Sequence, residues 1–146
     1  MNILKVLTVR RKLGNFGENS AASFLRRKRY RILERNFVGK NGEIDIIACK
    51  KDIMIFVEVK TRSIESSGMY ESRPAAAVNA EKQRRLIRIA NEYAHRIHKK
   101  EGCAMRMDII EVLTRKNEKQ KIKIEKIVHI ENAFDMNTAY KTYRKA

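Results

Sequence analysis

Acidic residues are scarce in this 146-residue chain: 17 Asp and Glu stand against 33 Lys and Arg, a net charge of +16. Cysteine is nearly absent. Cys49 and Cys103 lie 54 residues apart, with no CxxC and no paired histidine, which argues against a disulfide scaffold and a zinc finger. No apolar run approaches the roughly 20 residues that span a bilayer. The opening segment MNILKVLTVRRKLG lacks the signal-peptide pattern: Lys5 and Arg10 shorten its apolar stretch, and no small-residue cleavage site follows. No Ser-His-Asp arrangement or phosphate-binding glycine loop is present. These absences lead to the expectation of a reduced, cytoplasmic protein with no membrane partner.

What is present is a core and a charge. Apolar residues make up 43% of the chain, enough to fold rather than remain a disordered polybasic polymer. The length predicts a single domain over residues 1–146. An excess of positive charge this large opposes compaction by self-repulsion, so a polyanionic partner is its natural counterpart. Nucleic acid, anionic membrane and ribosome would all serve, and nucleic acid is favoured. The bland alternative is a solvated basic surface.

The patterning predicts an αβββαββ order. Residues 15–29 read as a helix with Ala21, Ala22 and Leu25 on one side, and 31–38 read as a strand. The run GKNG over 39–42 signals a turn. Segments 43–50 and 53–61 are β-branched strands joined at Lys51-Asp52, a tight hairpin. A Ser-rich loop follows, and Ser72 with Pro74 would open a helix reaching about Lys99. Val78, Leu86, Ile89, Ala90, Tyr93 and Ile97 line one face of that helix; Lys82, Arg84, Arg85, Arg88 and Arg96 line the other. Residues 103–114 and 121–130 read as strands, and 132–143 as a short terminal helix. The hairpins make the sheet at least partly antiparallel.

The hairpin register carries the chemistry. With Lys51 and Asp52 as the loop, Asp45 falls opposite Glu58, and Lys60 shares their sheet face. Met54 and Phe56 lie on that face too, while Ile44, Ile46, Ala48, Ile55, Val57 and Val59 form the other as a core. Opposed side chains sit about 4.5–5.5 Å apart, where like charges repel. A divalent cation resolves the conflict, and Mg²⁺ takes one or two carboxylates while keeping its waters. The alternative is a solvated face neutralised by Lys60. A third carboxylate, Glu18, shares the stripe of Ala22 and Leu25, either as a partner of this pair or as a first-turn Glu favoured by the helix dipole. His95, His98 and His129 lack catalytic spacing and read as surface residues.

The segments GNFGENSAASFL, RNFVGKNGEIDIIA, FVEVKTR and MRMDIIEV resemble the YraN family, which is similar to archaeal Holliday-junction resolvases within the PD-(D/E)xK, restriction-endonuclease-like superfamily. The resemblance runs from about Gly14 to Phe134, and GEID-x(12)-EVK with an upstream GE is its most specific part. It implies an α/β fold with an αβββαβ core, a mixed central sheet flanked by helices. It implies that Asp45 and Glu58 are metal ligands, that Lys60 is the lysine of E-x-K, and that Glu18 matches the first-helix glutamate of resolvase-like members. Ile44 stands where the superfamily name has Pro, which agrees with the family's own GEID form. Lys82 and the Arg106-x-Asp108 pair match the YraN pattern with no role attached.

The expected function is therefore metal-dependent phosphodiester hydrolysis of DNA, with branched or junction structures among the substrates. A non-catalytic nucleic-acid-binding module on the same scaffold is the alternative. Mg²⁺ or Mn²⁺ would sit on Asp45, Glu58 and the Val59 carbonyl, Lys60 would orient water or stabilise charge, and Glu18 would act in the outer shell. Arg26, Arg27, Lys28, Arg29 and Arg31, with Arg84, Arg85 and Arg88, would line one nucleic-acid groove; Arg62 and Lys82 are further candidates for phosphate. Resolvase-like proteins act as two-fold dimers, so a homodimer is the implied assembly.

Overall fold

The structure, a computed structural model, describes residues 2–64, 78–98 and 104–136. Helix α1 (Ile3–Arg27) leads into strands β1 (Arg31–Gly39), β2 (Gly42–Lys50) and β3 (Ile53–Ser63). Helix α2 (Ala80–Tyr93) continues as a wider turn over Ala94–His98, before β4 (Ala104–Lys116) and β5 (Ile122–Phe134). The five strands lie in one sheet in the order β1-β2-β3-β4-β5. Only β3 and β4 are parallel, and α2 lies in the crossover between them. The predicted order of elements stands, and the sheet is mixed.

Local chemistry explains the hairpins. Lys40 and Asn41 join β1 to β2, and Gly42 adopts φ 140°, a backbone state that a side chain resists. Lys51 and Asp52 join β2 to β3, with Lys51 at φ 55°. The β2–β3 register runs from Lys50 opposite Ile53 to Ile46 opposite Val57, as the two-residue loop requires.

Both sheet faces are core, because a helix covers each. Against α1, Ala21, Ala22, Leu25 and Tyr30 pack on Ile46, Ala48, Ile55, Val57, Ile110 and Val112. Against α2, Leu86, Ile87, Ile89 and Tyr93 pack on Ile47, Met54, Phe56, Met107 and Ile109. Ile44 joins the second cluster rather than the first. Strict alternation over β2 fails there because the β2–β3 ladder ends at Ile46, and Asn36 takes φ 51° between the pairings of Arg35 and Phe37.

Other expectations shift. Helix α1 begins at Ile3, capped by Asn2, well before residue 15. Asn79 caps α2 by accepting from the Lys82 N–H; Ser72 and Pro74 lie outside the described residues. Ile97 is exposed, not on the core face, because the wider turn after Tyr93 rotates it out of phase. The expected helix over 132–143 gives way to β5 as far as Phe134, and residues beyond 136 lie outside the described part.

Beneath α1 lies a buried polar network. Arg106 donates to both Asp108 oxygens at 2.8 and 2.9 Å and to the Tyr30 hydroxyl at 3.0 Å. His129 Nε2 meets Asp108 Oδ2 at 2.7 Å, and the Asn132 N–H donates to Oδ1 at 3.0 Å. His129 is thus a core residue, not a surface one; its ring packs edge-on against Phe24 and Tyr30. Burial works to raise the Asp108 pKa, but the bonds from His129, Arg106 and Asn132 outweigh it and hold it below the ordinary value.

Two expectations follow. A Cβ at Gly17 would collide with the Thr61 hydroxyl and crowd Thr61 Cβ and Cγ2 at 3.0 and 3.1 Å. Gly17→Ala should therefore destabilise the fold by about 1–3 kcal/mol in urea denaturation despite its better helix propensity, and Thr61→Ala should restore part of the loss. Asp108→Ala should cost about 3–5 kcal/mol, since it strands a buried guanidinium. The Asp108 contribution is present above the ordinary carboxylate pKa and lost as pH falls through its lowered one, so the variant should also show a flatter acid-unfolding profile.

Candidate metal and phosphate site

The site forms where β2 and β3 part. Past Ile46 and Val57 the ladder stops, and the Asp45 side chain takes over its role: Asp45 Oδ2 accepts the Val59 N–H at 2.8 Å. Asp45 and Glu58 then line one 290 Å³ cleft with Gly42, Glu43, Lys82, Arg85, Leu86 and Ile89. Glu58 is only 9% exposed. Two cations reach its Oε1: Lys82 Nζ at 2.6 Å and Lys60 Nζ at 3.5 Å. Burial, then the Glu58 charge, push the Asp45 carboxyl up to about 7, against the lowering effect of the Val59 N–H; Glu18 and Glu43 add to the rise. Burial opposes the charge on Lys82, but its bond to Glu58 outweighs that and raises its pKa.

Glu18 does not enter that cleft. It lines an adjacent cavity with Leu13, Gly14, Val59, Lys60 and Thr61. Lys60 links the two spaces, since it lines the second and pairs with Glu58 in the first. The close approach of α1 to β3 at Gly17 sets this placement.

The basic candidates separate into two groups. Arg84, Arg85 and Arg88 line a hollow with Asn41 and Glu81, and Arg85 also borders the acidic cleft. Arg26, Arg27, Lys28 and Arg29 sit at the other end of α1, just before Arg31, which pairs with Cys49. Cys49 lies four positions along β2 from Asp45, about 13 Å along the strand. The two groups belong to different layers, since α1 packs on one face of the sheet and α2 on the other. Arg62 lies 3.3 Å from the buried Glu111 and neutralises it.

Lys82 is on the sheet-facing side of α2, partly buried, unlike the exposed Arg85 and Arg88. Its sequence position holds the signal: it falls one turn after Val78 and one before Leu86, on the core stripe.

The donor set suits a small hard cation. Asp45 and Glu58 offer carboxylate oxygens in one cleft, and Mg²⁺ binds through one or two such groups with retained water. Among the described residues, no three His, Cys, Asp or Glu side chains gather closely enough to hold a metal on their own. Among them, too, no helix is long and apolar enough to cross a membrane.

A mixed sheet sandwiched by helices, with the acidic pair and E-x-K lysine where its second and third strands part, defines a protein of the restriction-endonuclease-like α/β class. Residues 17–112 match the Uncharacterised protein family UPF0102. A UPF0102 protein of Caldanaerobacter subterraneus subsp. tengcongensis is 42% identical over 125 residues, 86% of this chain and 96% of that one. Others from Caldicellulosiruptor saccharolyticus and Alkaliphilus metalliredigens are 42% identical over 126 and 127 residues, each covered to 98%. The chain belongs to the UPF0102 family, the YraN family of the sequence resemblance.

Asp45 supplies a pH test. Its pKa is raised from 3.8 to about 7 on folding, so its contribution to stability is full below the unfolded value and lost as pH rises through the folded one. Asp45→Asn should be more stable than wild type at pH 8 by about 1–2 kcal/mol and nearly equal at pH 4. Urea denaturation at both values checks this; a difference independent of pH would contradict it.

Proposed function

We propose that this protein is a metal-dependent endonuclease acting on DNA by phosphodiester hydrolysis, with branched structures among its substrates. The observation that carries the reading is the shared cleft of Asp45 and Glu58, flanked by Lys60 and Lys82 and opening toward the Arg84, Arg85 and Arg88 hollow. Bound on Asp45 and Glu58, Mg²⁺ or Mn²⁺ would polarise the phosphate and lower the pKa of a coordinated water. The Val59 carbonyl is the third candidate ligand, and the hydrogen bond from the Val59 N–H fixes the Asp45 carboxylate beside it.

Lys60, joined to Glu58 and open to the Glu18 cavity, is placed to orient the attacking water or stabilise charge on the phosphate. Glu18 shares that cavity with Lys60, which suits a role in the outer shell rather than as a ligand in the Asp45–Glu58 cleft. Arg85 and its neighbours hold the flanking backbone. Arg26, Arg27, Lys28 and Arg29 form a separate contact at the far end of α1, as a large or bent nucleic acid would meet it. A homodimer would bring two such sites to paired strands.

One feature favours the rival reading of a non-catalytic binding module: two lysines already neutralise Glu58 without an ion. Incubation with branched and single-stranded DNA in Mg²⁺ or Mn²⁺ decides between them. Cleavage is expected, reduced about 10²-fold or more in both Asp45→Ala and Glu58→Ala. Cutting that survives in both variants, or salt-sensitive DNA binding with no cutting, would overturn the endonuclease reading.

A further inference from the structure

Lys82 is an unusual lysine. It stands in the first turn of α2, where the helix dipole disfavours a cation. Its side chain is two-thirds buried, on the apolar stripe between Val78 and Leu86. Both features cost stability for an ammonium group. What offsets them is the 2.6 Å bond to Glu58 Oε1, in the cleft that Asp45 also lines. Lys60 reaches the same oxygen from 3.5 Å, so Glu58 carries two cationic partners, while Asp45 accepts the Val59 N–H.

A small cation shared by Asp45 and Glu58 draws on the Glu58 carboxylate and has to share the cleft with the group that already neutralises it. Lys82 Nζ stands there already, close enough to Asp45 for the two charges to interact. We propose that Lys82 is a tethered counter-ion that competes with the divalent cation for Glu58, and that entry of the cation releases its ammonium into the cleft to meet a phosphate. This rests on the metal-site reading above. It gives the site two states. Without an ion, Lys82 neutralises a carboxylate that would otherwise repel Asp45. With one, the freed ammonium adds positive charge next to Arg85, on the wall leading to the arginine hollow. Phosphate affinity is thereby coupled to metal occupancy. Lys60 is the poorer competitor: it stands 3.5 Å from the same oxygen and does not line the cleft, so it leaves room for an ion that Lys82 does not.

Two measurements on the full chain test the exchange. The first is calorimetric titration with Mn²⁺ alone. Lys82→Met should bind the ion roughly tenfold more tightly than wild type, because its competitor is gone. Lys82→Arg, which keeps a cation, should stay near wild type, and Glu58→Gln should lose the uptake. The second is the rate at which an amine-acylating reagent modifies Lys82, read by mass spectrometry, with the exposed Lys51 as reference. Mn²⁺ should raise the Lys82 rate several-fold relative to Lys51. Unchanged or weaker Mn²⁺ binding in Lys82→Met, or a Lys82 rate that does not rise, overturns the exchange and leaves the metal site standing. Absence of uptake in wild type and in Lys82→Met alike overturns the metal site as well.

Discussion

Two carboxylates held in one partly buried cleft are the constraint around which this protein is arranged. Asp45 and Glu58 are brought together by a two-residue connection, the Lys51-Asp52 turn. The ladder that aligns them stops one pair before it reaches them, and the Asp45 side chain accepts the Val59 N–H beyond that break. Burial first, and then the charge of Glu58, favour protonation of Asp45. The surrounding structure answers with cations. Lys60 comes from the same strand as Glu58, and Lys82 from the crossover helix. The crossover that makes β3 and β4 parallel is thus also the element that delivers the closest counter-charge to the site.

The rest of the charge is distributed with equal consequence. The net charge of +16 is divided between layers: one group of cations ends α1, which covers one sheet face, and the other lies on α2, which covers the opposite one. The α2 arginines border the acidic cleft, whereas the end of α1 lies beside the Arg31 end of β1. Beneath the α1 end, Arg106, Asp108 and His129 bond to one another and to Tyr30 inside the core. A buried aspartate satisfied by a guanidinium, an imidazole and a backbone N–H serves to tie β4, β5 and the end of α1 together. The Arg-x-Asp pair of the family resemblance therefore has a structural role in this chain.

Much of the site was legible from residue order. The identity of the loop at Lys51-Asp52 was enough to place Asp45 against Glu58, because side chains alternate along a strand and a two-residue turn leaves one register. The E-x-K spacing kept Lys60 next to Glu58 for the same reason. Less legible was the orientation of Lys82: counted with the neighbouring arginines it looked like surface, although its four-residue spacing from Val78 and from Leu86 marked the opposite side of α2. The burial of His129 is not legible in the sequence, because its partner, Asp108, lies 21 residues earlier on the neighbouring strand. Ile44 was misjudged because alternation assumes an unbroken ladder.

By itself, the amino-acid order determined the succession of elements, the hairpin register and the meeting of Asp45 with Glu58. Those depend on local geometry: strand period, turn length and the chirality of the chain. The tertiary structure alone decided which cation would face Glu58, which face of the sheet each helix would cover, and how far the two basic groups would stand apart. Such outcomes depend on how α1 and α2 pack across the sheet, where residues distant in the chain compete for the same buried space, and no local pattern encodes that competition.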